Sequence, residues 1–238
     1  MLYQRTLTMK NVILFLLLIS PSVFAQQIDI RELAPFSKIQ FEGWGNVFLI
    51  PGHEEVVEIE SKDNMPVTEV RTEVRGNTLY IQYRNNDEEI WKTDPKVNIH
   101  ITYRALEAFD AIGVVNLATE SPLVAERFRL HMEGTGKKHL EVDVEDLDVT
   151  VEGITKMRLS GKARHQRVVF DGMGKIWAEN LITHTTIAEV NGTGNLYVHA
   201  TEKLVAEANG FGAKIRYAGN PPQKNIDKAG FVSVRSIH

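Results

Sequence analysis

Glu133, Glu152 and Asp171 each stand one residue before a glycine, and Asn191 and Asn209 continue the series. If the chain stacks these positions, the side chains form a polar column. Carboxylates on adjacent strands would lie ~4.8 Å apart, close to the separation of about 5 Å used by retaining glycosidases. That chemistry pairs an acid with a nucleophile. A plainer use is turn capping, because Asp and Asn side chains bond neighbouring backbone at turns. Trp44, Trp91, Trp177 and Phe211 are the aromatics that could stack on sugars. Alternation points Trp177 outward, which makes it the best placed of them for a ligand.

Other constellations are weaker. Glu141 to Asp148 reads Glu-Val-Asp-Val-Glu-Asp-Leu-Asp, and calcium binding would need six to eight oxygens converging on one point. Alternation instead makes Glu141, Asp143 and Glu145 point outward in parallel, as a solvated face. Histidines 131, 139, 165, 184 and 199 fall at different places relative to the glycines, so no imidazole column or metal site is expected. The paired glycines are not a dinucleotide loop, which requires a helix to follow the strand. No catalytic residue, metal or cofactor is therefore expected.

The elements that must position these residues are read from the glycines. Glu133-Gly134-Thr135-Gly136, Asp171-Gly172-Met173-Gly174, Asn191-Gly192-Thr193-Gly194 and Asn209-Gly210-Phe211-Gly212 repeat one pattern, with Glu152-Gly153-Ile154-Thr155 as a degenerate copy. The first glycines are separated by 19, 19, 20 and 18 residues. Apolar or small residues alternate on both arms: Phe128, Leu130 and Met132 before Gly134; Leu147, Val149 and Val151 before Gly153; Ile176 and Ala178 after Gly172. Gly134 is followed by Lys138 where the other copies carry Met157, Ile176 and Leu196. A period near 19 with two alternating arms predicts an all-β chain folded as a parallel β-helix or β-solenoid, each copy one coil. Hairpins would give turn signals every 8–12 residues. Glycine fits the corner through its access to positive φ and to close backbone approach.

From Ile28 to Tyr103 short alternating runs read as strands separated by turn clusters. Among these clusters are Glu42 to Asn46, Pro51-Gly52-His53, and Arg75-Gly76-Asn77, the last a hairpin connection between 68–74 and 78–83. Residues 85–95 read as a polar surface loop. This segment, 26–105, is expected to begin and cap the solenoid of residues 106–238, and Phe231 to Val234 to pair with the last coil.

Residues 1–25 have the layout of a secretory signal peptide: Lys10, an apolar run from Val12 to Ile19, and small residues at Ser22-Val23-Phe24-Ala25. The run is short for a spanning helix. Met9 is an alternative start, because Met9-Lys10-Asn11 is the more usual basic opening. Export to the periplasm or cell surface follows, with cleavage near Ala25. The chain has no cysteine, hence no disulfide or lipid-anchor cysteine. Acidic residues number 31 against 27 basic, and no basic patch stands out, which argues against nucleic acid or an anionic membrane as partner.

Taken in order, Phe36-Ser37-Lys38-Ile39 through Val47-Phe48-Leu49, Val74-Arg75-Gly76-Asn77-Thr78-Leu79-Tyr80-Ile81, the glycine series and Tyr217-Ala218-Gly219-Asn220-Pro221 resemble the bacterial head GIN domain family. That family is a domain of unknown function described as an autotransporter adhesin head. The resemblance spans nearly all of residues 26–238. It implies a right-handed β-helix similar to pectin-lyase-like folds but without their catalytic residues, and a role in adhesion. Gly113-Val114-Val115 and Gly153-Ile154-Thr155 depart from the pattern by lacking the second glycine, and Arg104 replaces a usual proline. The partners so implied are a carbohydrate or a cell-surface protein, with homo-oligomers possible. A carbohydrate-active β-helix enzyme working through the Glu133/Glu152/Asp171 column, or a structural envelope module, is the alternative.

Overall fold

Ile39, Phe41, Val47 and Leu49 are buried while Lys38, Gln40 and Glu42 between them are exposed. This period of two makes the segment a half-buried strand. A computed structural model describes residues 27–61, 66–84 and 97–237. The expected loop at 85–95, Trp91 within it, and the signal segment lie outside them. The described residues are all-β, with one 3-10 turn at Val67–Glu69 and no α-helix. No helix among them is long and apolar enough to cross a membrane.

The strands are β1 (Gln27–Glu32), β2 (Lys38–Pro51), β3 (Val56–Ser61), β4 (Val70–Arg75), β5 (Thr78–Tyr83), β6 (Val97–Tyr103), β7 (Ala108–Thr119), β8 (Leu123–Gly192), β9 (Asn195–Ala218) and β10 (Gln223–Ser236). They form one unclosed sheet in the order β1-β3-β6-β2-β7-β8-β9-β10, with β5 also on β2 and β4 on β5. β1, β3 and β6 pair antiparallel. β4 and β5 form the expected hairpin about Gly76. From β2 onward the main ladder is parallel. Phe231 pairs with Phe211, which places the C-terminal strand on β9 as expected.

β8 is extended over 70 residues, which drawn out straight would reach ~230 Å. It does not run straight. A Cβ on Gly153 would overlap the carbonyl oxygen of Gly134, and one on Gly172 would overlap that of Gly153. The chain passes beside itself 19 residues later at these corners. Their φ values of 112° and 155° are open to glycine and strained for other residues.

The same register reaches further than the sequence suggested. Gly43 lies opposite Gly113, Gly113 opposite Gly134, and Gly230 opposite Gly210. Glu42 to Asn46, expected as a turn cluster between strands, is the interior of β2 and another glycine corner in this column. Residues 52–107, carrying β3 to β6, separate it from the next corner in sequence, and that interruption hides it.

Phe128, Leu130, Met132, Leu147, Val149, Val151, Val168 and Phe170 are all buried and belong to one core cluster. Gln166 occupies the same column at 2% exposure, and neither polar atom of its amide has a hydrogen-bond partner. An unpaired buried amide costs about 1–3 kcal/mol. Gln166→Leu, equal in size and apolar, is expected to raise the urea midpoint by the equivalent of about 1–2 kcal/mol. An unchanged midpoint would mean the amide is satisfied.

Candidate functional site

The column before the corner glycines is a partly hydrogen-bonded edge. Asn191 donates from Nδ2 to Asp171 Oδ1 (2.6 Å) and to Glu189 Oε1 (3.0 Å). Asn209 repeats this one strand on, to Asn191 Oδ1 (3.1 Å) and Glu207 Oε1 (3.0 Å). Asp171, Asn191 and Asn209 thus form a ladder whose amides are committed within the protein. Glu133 and Glu152 are exposed, and Glu152 lies 3.7 Å from Nε2 of His131. The acidic stretch on β8 is likewise engaged: Asp146 pairs with Arg127 (3.2 Å), Asp148 with Arg167 (3.5 Å) and Glu145 with Arg164 (3.8 Å).

The aromatics separate. Trp44 is 5% exposed and stacks on Tyr83 with centroids 3.7 Å apart, so it belongs to the core and not to a ligand surface. Tyr83 donates its hydroxyl to the Trp44 carbonyl, and burial raises its pKa. Phe211 is exposed at the corner, edge-on to Phe231 at 5.5 Å. Trp177 alone among the described aromatic candidates lines a concavity.

That concavity is an open groove of about 900 Å³ across β2, β7, β8 and β9. Two outward rows form its floor. The first starts beside the buried Asn98 with Asn46 and Asn116 in the ladder, passes to Lys137 through the Asn116 side chain, and ends with Lys175 opposite Asn195. Thr155 donates to the Gly136 carbonyl 19 residues earlier, and a Cβ on Gly174 would meet the Thr155 carbonyl. One residue further along each of these segments, the same register sets Lys137, Lys156 and Lys175 side by side. The second row lies two residues on: His100, Phe48, Ala118, His139 in the ladder, then Arg158, then Trp177 opposite Tyr197.

Hydrogen bonds fix one end of the first row. Asn98 donates to Glu60 (2.6 Å), Asn46 to Asn98 (2.9 Å) and Asn116 to Asn46 (2.9 Å), and Asn116 Oδ1 accepts the Lys137 backbone N–H (2.8 Å). In the second row Phe48 stacks on His100 at 4.6 Å. The Arg158 guanidinium lies 4.8 Å from the Trp177 ring centre and Lys175 Nζ 5.7 Å. Contacts of this kind contribute about 0.5–1 kcal/mol at exposed sites. Among the described residues no carboxylate lines the groove. The absence of a basic patch expected from the sequence is thereby corrected: the fold gathers lysines that lie 19 residues apart in the chain.

Residues 35–221 match the family model described as "Putative auto-transporter adhesin, head GIN domain". The chain belongs to this family. Solved structures share the fold of this GIN domain. A "putative adhesin" from Bacteroides fragilis aligns with TM-score 0.79 at 23% identity, over 89% of this chain and 97% of that one. A "putative lipid binding protein" from Parabacteroides distasonis aligns with TM-score 0.67 at 17% identity, over 90% and 97%. A "putative adhesin" from Parabacteroides merdae aligns with TM-score 0.64 at 18% identity, over 90% and 96%. No curated protein matches the chain.

Between the two rows of the GIN domain groove lies a buried column. Val47 pairs with Leu117, Leu117 with Lys138, and Ile176 with Leu196. Lys138 is 4% exposed, and its ammonium donates to the Gly136 carbonyl at 3.3 Å. Burial pushes its pKa down to about 8, because a low-dielectric surrounding disfavours the charged form. The groove escaped the sequence reading for a simple reason. The fourth and sixth residues after each glycine face the core and carry the apolar period, and between them Trp177 alone stood out. The third and fifth carry the signal: Lys137, Lys156 and Lys175, then His139, Arg158 and Trp177.

Proposed function

We propose that this GIN domain is an exported, non-enzymatic binding module acting in adhesion, directed at a carbohydrate or protein in the periplasm or at the cell surface. Its strands are read as a right-handed β-solenoid with a coil of ~19 residues, residues 26–105 starting and capping it and 106–238 supplying the repeats. Residues 1–25 are read as a signal peptide removed near Ala25. The observation that carries the functional reading is the open groove crossing successive strands, a concave and partly apolar surface of the kind that ligands occupy. The names given to the family and to its structural neighbours, adhesin and lipid-binding protein, support binding over turnover.

The corner column Glu133, Glu152, Asp171, Asn191 and Asn209 is assigned to holding the edge together, since Asp171 and both asparagines already bond one another. A glycan array and capture from bacterial envelope extracts test the binding reading, and retention of a polysaccharide or surface protein is the expected result. The wild-type chain is also expected to leave polysaccharides uncleaved. Cleavage that disappears in Glu152→Gln/Asp171→Asn while the circular dichroism spectrum is preserved would replace the adhesin with an enzyme.

A further inference from the structure

The lysine row has an electrostatic oddity. Like charges set opposite one another on adjacent strands are destabilising, and in-register strands are ~4.8 Å apart. Elsewhere on β8 the arginines at 127, 164 and 167 are each answered by a carboxylate. Among the described residues no carboxylate pairs with Lys137, Lys156, Lys175 or Arg158. All four are exposed in the groove. Apart from the contacts of Arg158 and Lys175 with the Trp177 ring, their charge is unanswered within the fold, and it stands out in a chain whose net charge is −4.

A second, independent observation lies beneath the floor. Lys138 is buried in a column otherwise filled by Val47, Leu117, Met157, Ile176 and Leu196. It places a further cation where packing alone calls for an apolar side chain. A third is Trp177, whose indole sits beside Arg158 and Lys175 at the end of the cationic row. An aromatic flanked by cations offers an apolar ring face next to anion-binding groups.

We propose that this groove binds a linear polyanionic glycan, a polysaccharide carrying carboxylate or sulfate groups at regular intervals, with its charges along Lys137, Lys156 and Lys175 and a sugar ring against Trp177. The assignment rests on the binding-module reading and names its ligand class. The cations follow one another across the strands at even spacing, so a polymer with evenly spaced charges satisfies more of them than a single small anion. Two other polyanionic surfaces fit less well. Single-stranded nucleic acid is held by aromatic platforms for successive bases, and here Phe48 is stacked on His100 and Trp177 lies beside Arg158, which makes no such series. An anionic bilayer attracts basic segments that lie against its surface, whereas these lysines line a concavity.

Calorimetric titration of the full chain with polygalacturonate and with dextran sulfate tests this, using uncharged dextran as the matched control. Both polyanions are expected to bind, dextran is not, and affinity falls as salt rises. Lys137→Gln/Lys156→Gln/Lys175→Gln is expected to lose about a hundredfold in affinity, at about fivefold per exposed ion pair. Trp177→Ala is expected to lose about tenfold. The triple variant relieves repulsion and gives up one exposed cation–π contact, of Lys175 with Trp177, so its thermal midpoint is expected to stay within a few degrees of wild type. Silence toward both polyanions overturns the proposal, as does binding that the triple variant retains. Tighter binding of single-stranded DNA or phosphatidylglycerol vesicles through the same lysines also overturns it. If the chain still captures a neutral glycan or an envelope protein, the binding-module reading survives that failure. If it captures nothing, both fall together.

Discussion

Lys138→Met is expected to stabilise the protein by up to about 3 kcal/mol at pH 7. The size follows from the pKa. An ordinary lysine titrates near 10.5 and this one at about 8, and each unit is about 1.4 kcal/mol. The sign follows from proton counting. Below pH 8 the ammonium is charged in both the folded and unfolded chains, and the full desolvation penalty burdens the fold. Between pH 8 and 10.5 the folded protein releases its proton first, the unfolded chain binds more protons, and stability rises with pH. Above 10.5 both are neutral and the penalty is gone. The gap between Lys138→Met and wild type is therefore expected to be widest below pH 8 and to close by pH 10.5. Taking the difference cancels the other lysines, His139 and the groove cations near the site, because both proteins carry them. Urea unfolding of the pair at pH 7, 9 and 10.5 measures it, and a gap that is flat across this range would show that Lys138 is not desolvated.

Gly174→Ala is expected to cost at least about 4 kcal/mol, the range reserved for a steric fault that the fold cannot absorb. Gly174 has φ of 122°, and a Cβ there would overlap the backbone carbonyl of Thr155. Backbone does not yield as a flexible side chain does, so either the two segments separate or the ladder slips. Gly212→Ala is the informative comparison. Gly212 has φ of 93° but nothing within 4 Å of the added carbon. It bears conformational strain alone, about 1–2 kcal/mol. Equal losses in the two variants, read from urea midpoints, would mean that close approach of neighbouring segments is not what glycine supplies at Gly174.

The residues that could be read in advance were those obeying short rules. Alternation singled out Met132, Val151, Ile176 and Leu196, and all four are buried. The glycine spacing anticipated that Gly134, Gly153 and Gly172 would meet, and a Cβ on each of the latter two would strike the one before. Three features were not legible. The corner at Gly43 is separated from Gly113 by strands that follow another pairing, so no fixed period reaches it. Trp44 sits at the middle of that corner, where other copies carry exposed Ile154, Met173 and Phe211, and Tyr83, brought across by β5 pairing with β2, stacks on it. The basic groove arises because stacking concentrates on one face what composition averages over the chain. Net charge reports a sum and carries no information about which residues become neighbours.

The corner at Gly43 has a kinetic side as well. Bringing Gly134 to Gly153 closes a chain of 19 residues, whereas bringing Gly43 to Gly113 closes one of 70. Loop-closure entropy grows as the logarithm of length, which makes the second join costlier by about 1 kcal/mol before any contact forms. The intervening residues lessen this by forming their own β4–β5 hairpin and the β3–β6 pairing, which shorten the effective loop. The inserted segment acts as a splint: by folding on itself, it holds the first corner within reach of the rest of the ladder.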